Sequence, residues 1–300
     1  MMPPPLSYPA LKLVLEYLEA KKRYHVTSRN VGLQKIDHLI PLRVGTLTIW
    51  KDTSVSLDDS EYMTDYMNKN TNREVNKDFK IHKAKGKLMK KYLERRPNIL
   101  VDRVEFNNLK FYKKAPVKLN LIINTLVTMG CSDFRNFFPM IDSRSFPLKK
   151  LEITQEKSIN IDNTVVHTTE DVILQFNKPY ELIKGIEKLH TKKLTIQNIM
   201  SKNVDAVKII KDWMKNGRKI GTDYFLCFSF GVWIKGVLKD LKREFNEFQN
   251  DLEGINVRFL DREPRFLIPM SPTSKIIIYG TRILSSHGTV YQLVLKVVST

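Results

Sequence analysis

Hydrophobic residues near the start of the chain repeat at the spacing of an α-helix. Four of them stand at i, i+3, i+4 and i+7, namely Leu11, Val14, Leu15 and Leu18. Ser7, before them, can cap a helix. A second short helix is predicted where Leu33, Ile36 and Ile40 share one face, and a proline ends it. Helices this short are marginal alone in water, so we expect them to pack on another part of the chain.

A strand-like pattern follows the helices and recurs along the chain. Its three copies are Val44-x-x-Leu47-x-Ile49, Val101-x-x-Val104-x-Phe106 and Leu148-x-x-Leu151-x-Ile153. A weaker copy keeps only Leu194 and Ile196. This is the spacing that opens a leucine-rich repeat, in which a strand points alternate side chains into the core.

The second half of the chain alternates strand and helix patterns. Strand candidates are centred on Leu121, Ile153, Leu174, Ile196 and Leu226, at intervals of 32, 21, 22 and 30 residues. Amphipathic helical stretches at 182–189, 206–213 and 234–248 stand between or after the later strands. This alternation predicts β/α units with mostly parallel pairing.

The chain closes with two strand patterns, at 276–279 and 291–298, around a polar turn that includes Gly288. They predict a terminal β-hairpin, which suits the end of a repeat array. The predicted fold class is therefore α/β: a small helical N-terminal segment, then an irregular leucine-rich-repeat-like β/α array with a C-terminal β-hairpin.

The composition of the chain indicates its cellular compartment. Hydrophobic residues make up 42% of the chain and charged residues 27%, which is typical of a globular protein. The two cysteines cannot form the framework of a disulfide-rich fold, and the N-terminus shows no apolar signal-peptide region. No apolar run is long enough to cross a membrane. We expect an intracellular protein, either cytoplasmic or nuclear, that does not contact membranes.

The charge of the chain is strongly basic. Fifty lysines and arginines stand against 32 acidic residues, a net charge of +18. Much of the excess lies in a polar insertion at about 52–96. The candidate polyanion-binding residues there are Lys83, Lys85, Lys87, Lys90, Lys91, Arg95 and Arg96. They could bind phosphate backbones; a solvated basic loop or a basic targeting signal are the alternatives.

No catalytic motif is present in the sequence. It contains no G-x-x-x-x-G-K-[ST], G-x-G-x-x-G, G-x-S-x-G or H-E-x-x-H, and its six histidines are scattered singly. Cys227 lies in an apolar strand pattern, where a buried, inert thiol is expected, and Cys131 follows Gly130 in a predicted turn. We expect neither a cofactor nor a metal. An enzyme would require distant polar residues that converge only in the folded chain.

Several segments resemble a known family. They are 6–18, 26–36, 40–44, 141–151 and the segment 213–222, which contains the motif Trp213-x-x-x-Gly217. These segments resemble the nematode-expanded F-box-like and F-box-associated proteins, a family largely of unknown function. The opening Leu6-Ser7-Tyr8-Pro9 replaces the usual Leu-Pro start of an F-box.

The resemblance implies two regions with different roles. Residues 1–41 would be an F-box-like helical segment that docks on the adaptor subunit of an SCF-type ubiquitin ligase. The contacts would be made by Leu11, Val14, Leu15 and Leu18, although these residues could equally anchor the first helix to the body. Residues 42–300 would be an F-box-associated body that holds an unknown substrate.

The sequence therefore favours a non-enzymatic protein-interaction module, for which the resemblance implies the role of a substrate-recognition adaptor of an SCF-type ubiquitin ligase. The alternative is a nucleic-acid-binding or polyanion-binding protein that uses the basic segment 80–96.

Overall fold

The computed structural model describes residues 7–50, 55–58, 92–94, 96–107, 119–130, 133–155, 161, 163–176, 183–285 and 288–300. The chain forms two compact units, Met1–Phe146 and Pro147–Thr300, called unit 1 and unit 2 below. Within the described residues, no helix combines the length and the hydrophobicity needed to span a membrane.

Unit 1 begins with three short helices, α1 (Tyr8–Tyr17), α2 (Ala20–Thr27) and α3 (Val31–His38). The helices α1 and α3 lie where the hydrophobic spacing predicts them. The Asn30 side chain caps α3 by accepting a hydrogen bond from the backbone N–H of Leu33 at 3.1 Å.

The hydrophobic pattern did not predict α2. The buried side chains of this helix are Ala20, Arg23 and Thr27. Because two of these three side chains are polar, the helix carries no apolar stripe that the sequence pattern could reveal.

The sheet of unit 1 contains β1 (Leu42–Trp50), β2 (Val55–Leu57), β3 (Ile99–Asn107) and β4 (Leu121–Met129), in the order β2-β1-β3-β4. The strands β1, β3 and β4 are parallel, and β2 is antiparallel to β1. The first two copies of the predicted strand pattern are direct neighbours across β1 and β3. The pairs are Val44 with Val101, Leu47 with Val104 and Ile49 with Phe106.

Two 3-10 helices, Phe134–Met140 and Ser143–Ser145, follow β4. The rings of Phe137 and Phe106 are stacked with centroids 3.9 Å apart, and both side chains are buried. The Ser145 hydroxyl accepts a hydrogen bond from the backbone N–H of Ile123 at 2.9 Å, which ties the second 3-10 helix to β4.

Unit 2 begins with four parallel strands, β5 (Lys150–Gln155), β6 (Asp171–Phe176), β7 (Lys193–Ile199) and β8 (Asp223–Phe228). Their predicted centres are register partners. The pairs are Ile153 with Leu174, Leu174 with Ile196, and Ile196 with Leu226. The intervals of 21, 22 and 30 residues therefore correspond to successive parallel strands, which confirms the predicted pairing.

The helices α4 (Thr164–Thr168) and α5 (Ala206–Asn216) and the 3-10 helices Ile186–Lys188 and Ser201–Asn203 lie between these strands. After β8 come α6 (Gly231–Glu244) and the 3-10 helix Asn246–Phe248. The helical stretch predicted over 182–189 was wrong in extent, because the described part forms only the 3-10 turn at Ile186–Lys188. Gly185 has a φ of 86°, a left-handed conformation that an α-helix does not continue through.

The C-terminal hairpin is confirmed. The strands β10 (Ser274–Ser285) and β11 (Gly288–Ser299) pair antiparallel along their full length, and β9 (Phe266–Ser271), which the sequence did not predict, pairs with β10. The strand order of unit 2 is β5-β6-β7-β8-β11-β10-β9. The chain is thus a mixed α/β protein with a C-terminal hairpin.

The main core of unit 2 lies between one face of its sheet and the helices α5 and α6. The buried helix residues are Ala206, Ile209, Ile210, Trp213, Ile234, Val237, Leu238 and Leu241. A smaller apolar cluster contains Leu252, Ile277, Tyr279 and Val294.

Candidate functional site

The parallel sheet of unit 2 carries polar side chains on one face. Along β6, Val172, Leu174 and Phe176 are buried, whereas the alternate residues are partly exposed. We call this partly exposed side the open face. It consists of Lys150, Glu152, Thr154, Asp171, Ile173, Gln175, Lys193, Thr195, Gln197, Asp223 and Phe225. Parallel sheets are usually covered on both faces and have apolar strands, so these polar strands are exceptional.

The first row of the open face alternates in charge. Its members, neighbours across five strands, are Lys150, Asp171, Lys193, Asp223 and Lys296 of β11. Lys193 Nζ lies 3.5 Å from Asp171 Oδ2, and Lys296 Nζ lies 3.7 Å from Asp223 Oδ2. Pairs at these distances between partly exposed side chains stabilise the fold little.

The second row contains the aromatic residue of the open face. Thr195 and Phe225 are direct neighbours across β7 and β8. The ammonium groups of Lys193 and Lys296 lie 5.9 Å and 5.7 Å from the centroid of the Phe225 ring. The ring also packs against the apolar cluster around Val294. Phe225 is therefore a partly buried aromatic side chain with two ammonium groups over its ring.

The third row carries amides. Thr154, Gln175 and Gln197 are neighbours across β5, β6 and β7, and the Thr154 hydroxyl lies 3.5 Å from Gln175 Oε1. Cys227 follows on β8 and is buried, as its strand pattern predicts. Burial raises the pKa of the Cys227 thiol, so a reactive thiolate is disfavoured.

The motif Trp213-x-x-x-Gly217 has a structural role. Trp213 is fully buried and its ring meets the Tyr224 ring edge-on, with centroids 4.8 Å apart. The Tyr224 hydroxyl donates to the backbone oxygen of Leu189 at 2.8 Å, and burial raises the pKa of Tyr224 to about 12. Gly217, with a φ of 70°, ends α5.

Arg218, the next residue, joins three segments. Its Nη2 donates to Asp212 Oδ2 at 2.9 Å and to the backbone oxygen of Glu187. Its Nη1 lies 3.2 Å from His190 Nδ1. Because a guanidinium group only donates, that nitrogen must accept and the imidazole is neutral. Burial, followed by the charges of Arg218 and His167, lowers the pKa of His190.

The middle part of the chain identifies the family to which it belongs. Residues 80–232 match the model of a family described as a domain of unknown function, DUF3557. This match spans just over half of the chain. The protein belongs to the DUF3557 family. No curated protein and no solved structure matches the chain. The DUF3557 match includes β5 to β8, so the tryptophan motif and the open-face residues of these four strands lie inside the family domain, whereas Lys296 lies outside it.

The helices α1 to α3 precede the DUF3557 match. Of the four predicted adaptor contacts, Leu15 is 1% exposed and faces the core, Leu11 and Leu18 are partly exposed, and Val14 is 46% exposed. The sequence stripe missed two exposed apolar residues, Leu13 (56%) and Tyr17 (83%). In the sequence, these two residues are recognisable only by their spacing of four positions, and both lie outside the predicted stripe. Leu13, Val14 and Tyr17 form what we call the outer surface of α1.

A buried ionic network in unit 1 was not predicted. The Asp37 carboxylate accepts from Arg23 Nε and Arg96 Nη2, and it also accepts from the Tyr92 hydroxyl at 3.1 Å. The backbone oxygen of Ile40 accepts from both arginines, at 2.9 Å and 3.3 Å. Burial, with the Asp37 carboxylate, raises the pKa of Tyr92 well above its ordinary value. The helices α2 and α3 are therefore fixed to Tyr92 and Arg96.

The predicted polyanion-binding residues are mostly outside the described residues. Lys83, Lys85, Lys87, Lys90, Lys91 and Arg95 lie there. Arg96 is described; it is 5% exposed and paired with Asp37. A polyanion site in this segment would consequently depend on the other six residues.

No group of three or more His, Cys, Asp or Glu side chains suited to a metal ion occurs in the part of the chain that the structure describes. The scattered histidines accordingly form no metal site there; His190 contacts Arg218 instead.

Proposed function

We propose that this protein is a non-enzymatic protein-interaction module whose partner docks on the open face of unit 2. The observation that carries the proposal is the set of in-register polar rows on a parallel sheet. Stacked repeats of this spacing use such a face as an extended binding surface. The intervals of 21 and 22 residues between β5, β6 and β7 support a leucine-rich-repeat-like array.

The composition of the open face favours a protein partner. Interface centres are enriched in aromatic residues, and their rims are polar. Phe225 supplies an aromatic centre, and Lys193, Lys296 and Gln197 supply a polar rim. The first row extends across five strands, which makes a wide surface rather than a closed cavity.

The experiment compares two variants of the full chain. Thr195→Arg places a long charged side chain beside Phe225, on the open face. Lys239→Glu, on the exposed side of α6, is the control. Partners are first identified by affinity purification and mass spectrometry, and their binding is then measured with purified components. We expect Thr195→Arg to lose the partner and Lys239→Glu to retain it. Equal binding by both variants would refute the open face as the site.

The F-box resemblance extends the proposal to the helical segment. We propose that the outer surface of α1 contacts the adaptor subunit of an SCF-type ligase, which requires a cytoplasmic or nuclear location. Leu13, Val14 and Tyr17 are accessible there, whereas Leu15 is not. The protein would then act as a substrate-recognition adaptor.

Deleting residues 1–41 is unsuitable as a test, since it removes Asp37 and leaves Arg96 buried without its partner. A double variant, Leu13→Asp with Tyr17→Lys, changes only exposed side chains. Val31→Asp is the matched control, because Val31 is 70% exposed on α3. We expect the double variant to lose binding to the purified adaptor subunit and the control to keep it. If the unmodified chain does not bind the adaptor at all, the ligase role is ruled out while the open-face proposal stands.

A second candidate function is polyanion binding, favoured by the net charge of +18. The test is a salt titration with an unstructured oligonucleotide. Binding should weaken linearly on a log–log scale with a slope set by the number of phosphates contacted. Replacing Lys87, Lys90 and Lys91 with glutamine should reduce that slope. No binding at low salt removes this candidate.

A further inference from the structure

A polar pocket of about 290 Å³ lies in unit 2, between the C-terminal half of α6 and the connection that leads to β9. Three cationic side chains line it, namely Lys242 from α6 and Arg262 and Arg265 from the connection. Two carboxylates, of Asp251 and Glu263, also line it. The pocket is separate from the open face and from the outer surface of α1.

Arg265 is held in position by two contacts. Its Nη1 donates to the backbone oxygen of Asp251 at 3.1 Å, and its guanidinium carbon lies 4.2 Å from the centroid of the Phe259 ring. Its Nε is buried and has no hydrogen-bond partner within the described residues. A buried donor without an acceptor is costly, so the chain itself leaves this guanidinium group incompletely satisfied.

The other two cations are uncommitted. Lys242 and Arg262 have no ion-pair partner in the part of the chain that the structure describes. Arg262 has a φ of 58°, in the left-handed region. Of the two carboxylates, that of Glu263 lies 3.6 Å from Lys235 Nζ, a cation outside the pocket lining. The pocket therefore has an excess of positive charge facing its space.

We propose that this pocket binds a phosphate monoester group. Guanidinium groups recognise phosphate through paired hydrogen bonds, and a lysine adds a point charge. The volume is at the lower end of the range for ligand sites, which suits a phosphate with a small substituent. Such a group occurs on a phosphorylated side chain or on a small phosphorylated metabolite.

The test uses the full chain and two probes, N-acetyl-phosphoserine amide and glycerol 3-phosphate, at constant ionic strength set by chloride. Binding is followed by two-dimensional NMR of the backbone and arginine side chains. We expect saturable shifts at Arg262 and Arg265. Affinity should rise between about pH 5.5 and pH 7.5, because the second ionisation of a phosphate monoester falls near pH 6.

Paired variants locate the site. Lys242→Gln with Arg262→Gln removes two cations from the pocket and should weaken binding at least about tenfold. Lys215→Gln with Lys219→Gln removes two exposed cations elsewhere in unit 2 and should leave the affinity unchanged. The NMR spectrum of each variant reports whether it is folded.

The relative affinities of the two probes distinguish the two possible sources of the phosphate group. Tighter binding of the phosphoserine probe assigns the pocket to phosphorylated side chains, and tighter binding of glycerol 3-phosphate assigns it to a metabolite. Absence of saturation, equal weakening by the two variant pairs, or equal binding of acetate would each overturn the proposal.

Discussion

Arg96 and Asp37 form a buried ion pair across 59 positions of the chain. The same carboxylate is held by Arg23 from the other side. Two arginines against one carboxylate leave a net positive charge in the interior. The backbone oxygens of Asp37, Ile40 and Pro41 accept further guanidinium donors, whereas Arg96 Nε has no hydrogen-bond partner within the described residues. The network therefore determines how α2 and α3 meet the start of β1.

Asp37→Ala should destabilise unit 1 strongly. Both guanidinium groups would remain buried without a counter-charge, and loss of one partner of a buried pair costs about 3–5 kcal/mol. The free energy of unfolding is measured by urea denaturation. Lys22→Ala, which breaks the exposed pair with Glu19 on the same helix, should cost at most about 1 kcal/mol. A similar small loss in both variants would contradict the importance of the network.

Two glycines should respond in opposite directions to alanine. Gly217 has φ 70° and ψ 165°, a region essentially reserved for glycine, and Gly217→Ala should cost about 1–3 kcal/mol. No neighbouring atom lies within 4 Å of the added Cβ, so the cost would come from the backbone alone. Gly236 lies inside α6, where an added Cβ would meet Ser201 at an ordinary 3.6 Å.

Gly236→Ala should therefore stabilise unit 2 by about 0.5–1 kcal/mol through helix propensity. Thermal and urea unfolding of both variants give the comparison. Stabilisation by Gly217→Ala would mean that the α5 terminus adopts another conformation.

Neighbouring residues of β7 should differ sharply in their contribution to stability. Ile196 is fully buried, and Ile196→Ala should cost about 2–5 kcal/mol. Gln197 belongs to the open face, and Gln197→Ala should change the free energy of unfolding by no more than about 0.5 kcal/mol. Urea denaturation distinguishes the two. A large loss for Gln197→Ala would show that this face is covered.

Protonation of His190 should lower the free energy of unfolding at acid pH. Its pKa in the folded chain is lowered below the ordinary value near 6.5, by burial first and then by Arg218 and His167. The unfolded chain thus binds the proton more readily, so the stability contributed by this group is fully present above about pH 6.5, the unfolded value, and is lost as pH falls from there through the lower pKa of the folded chain. Unfolding measured at a series of pH values should show a smaller acid loss in His190→Asn than in the unmodified chain. An identical profile for that variant would exclude His190 as the cause.

Cys227 should be unreactive in the folded chain. Its thiol is buried and its pKa is raised, so the thiolate is scarce at neutral pH. Iodoacetamide labelling, read at the Cys227 peptide by mass spectrometry, should be slow in buffer and fast in denaturant. Rapid labelling of the native protein would show that the strand β8 opens.

The pattern of apolar residues predicted much of the sheet. Ile153, Leu174, Ile196 and Leu226 were identified as strand centres from their spacing alone, and they are successive neighbours. The spacing recurs because each strand must place an apolar side chain at the equivalent position in one shared core. Segments without such a repeat, including β9 and α2, escaped prediction because their burial depends on distant partners.

The sequence by itself determined the α/β class, the parallel order of β5 to β8 and the C-terminal hairpin, because these follow from local periodicity and chain order. Only the tertiary structure decided which side of α1 is accessible, that Arg96 is committed to Asp37, and that Lys242, Arg262 and Arg265 meet around one pocket. Those facts depend on residues far apart in the chain, and spacing along a sequence carries no information about such distances.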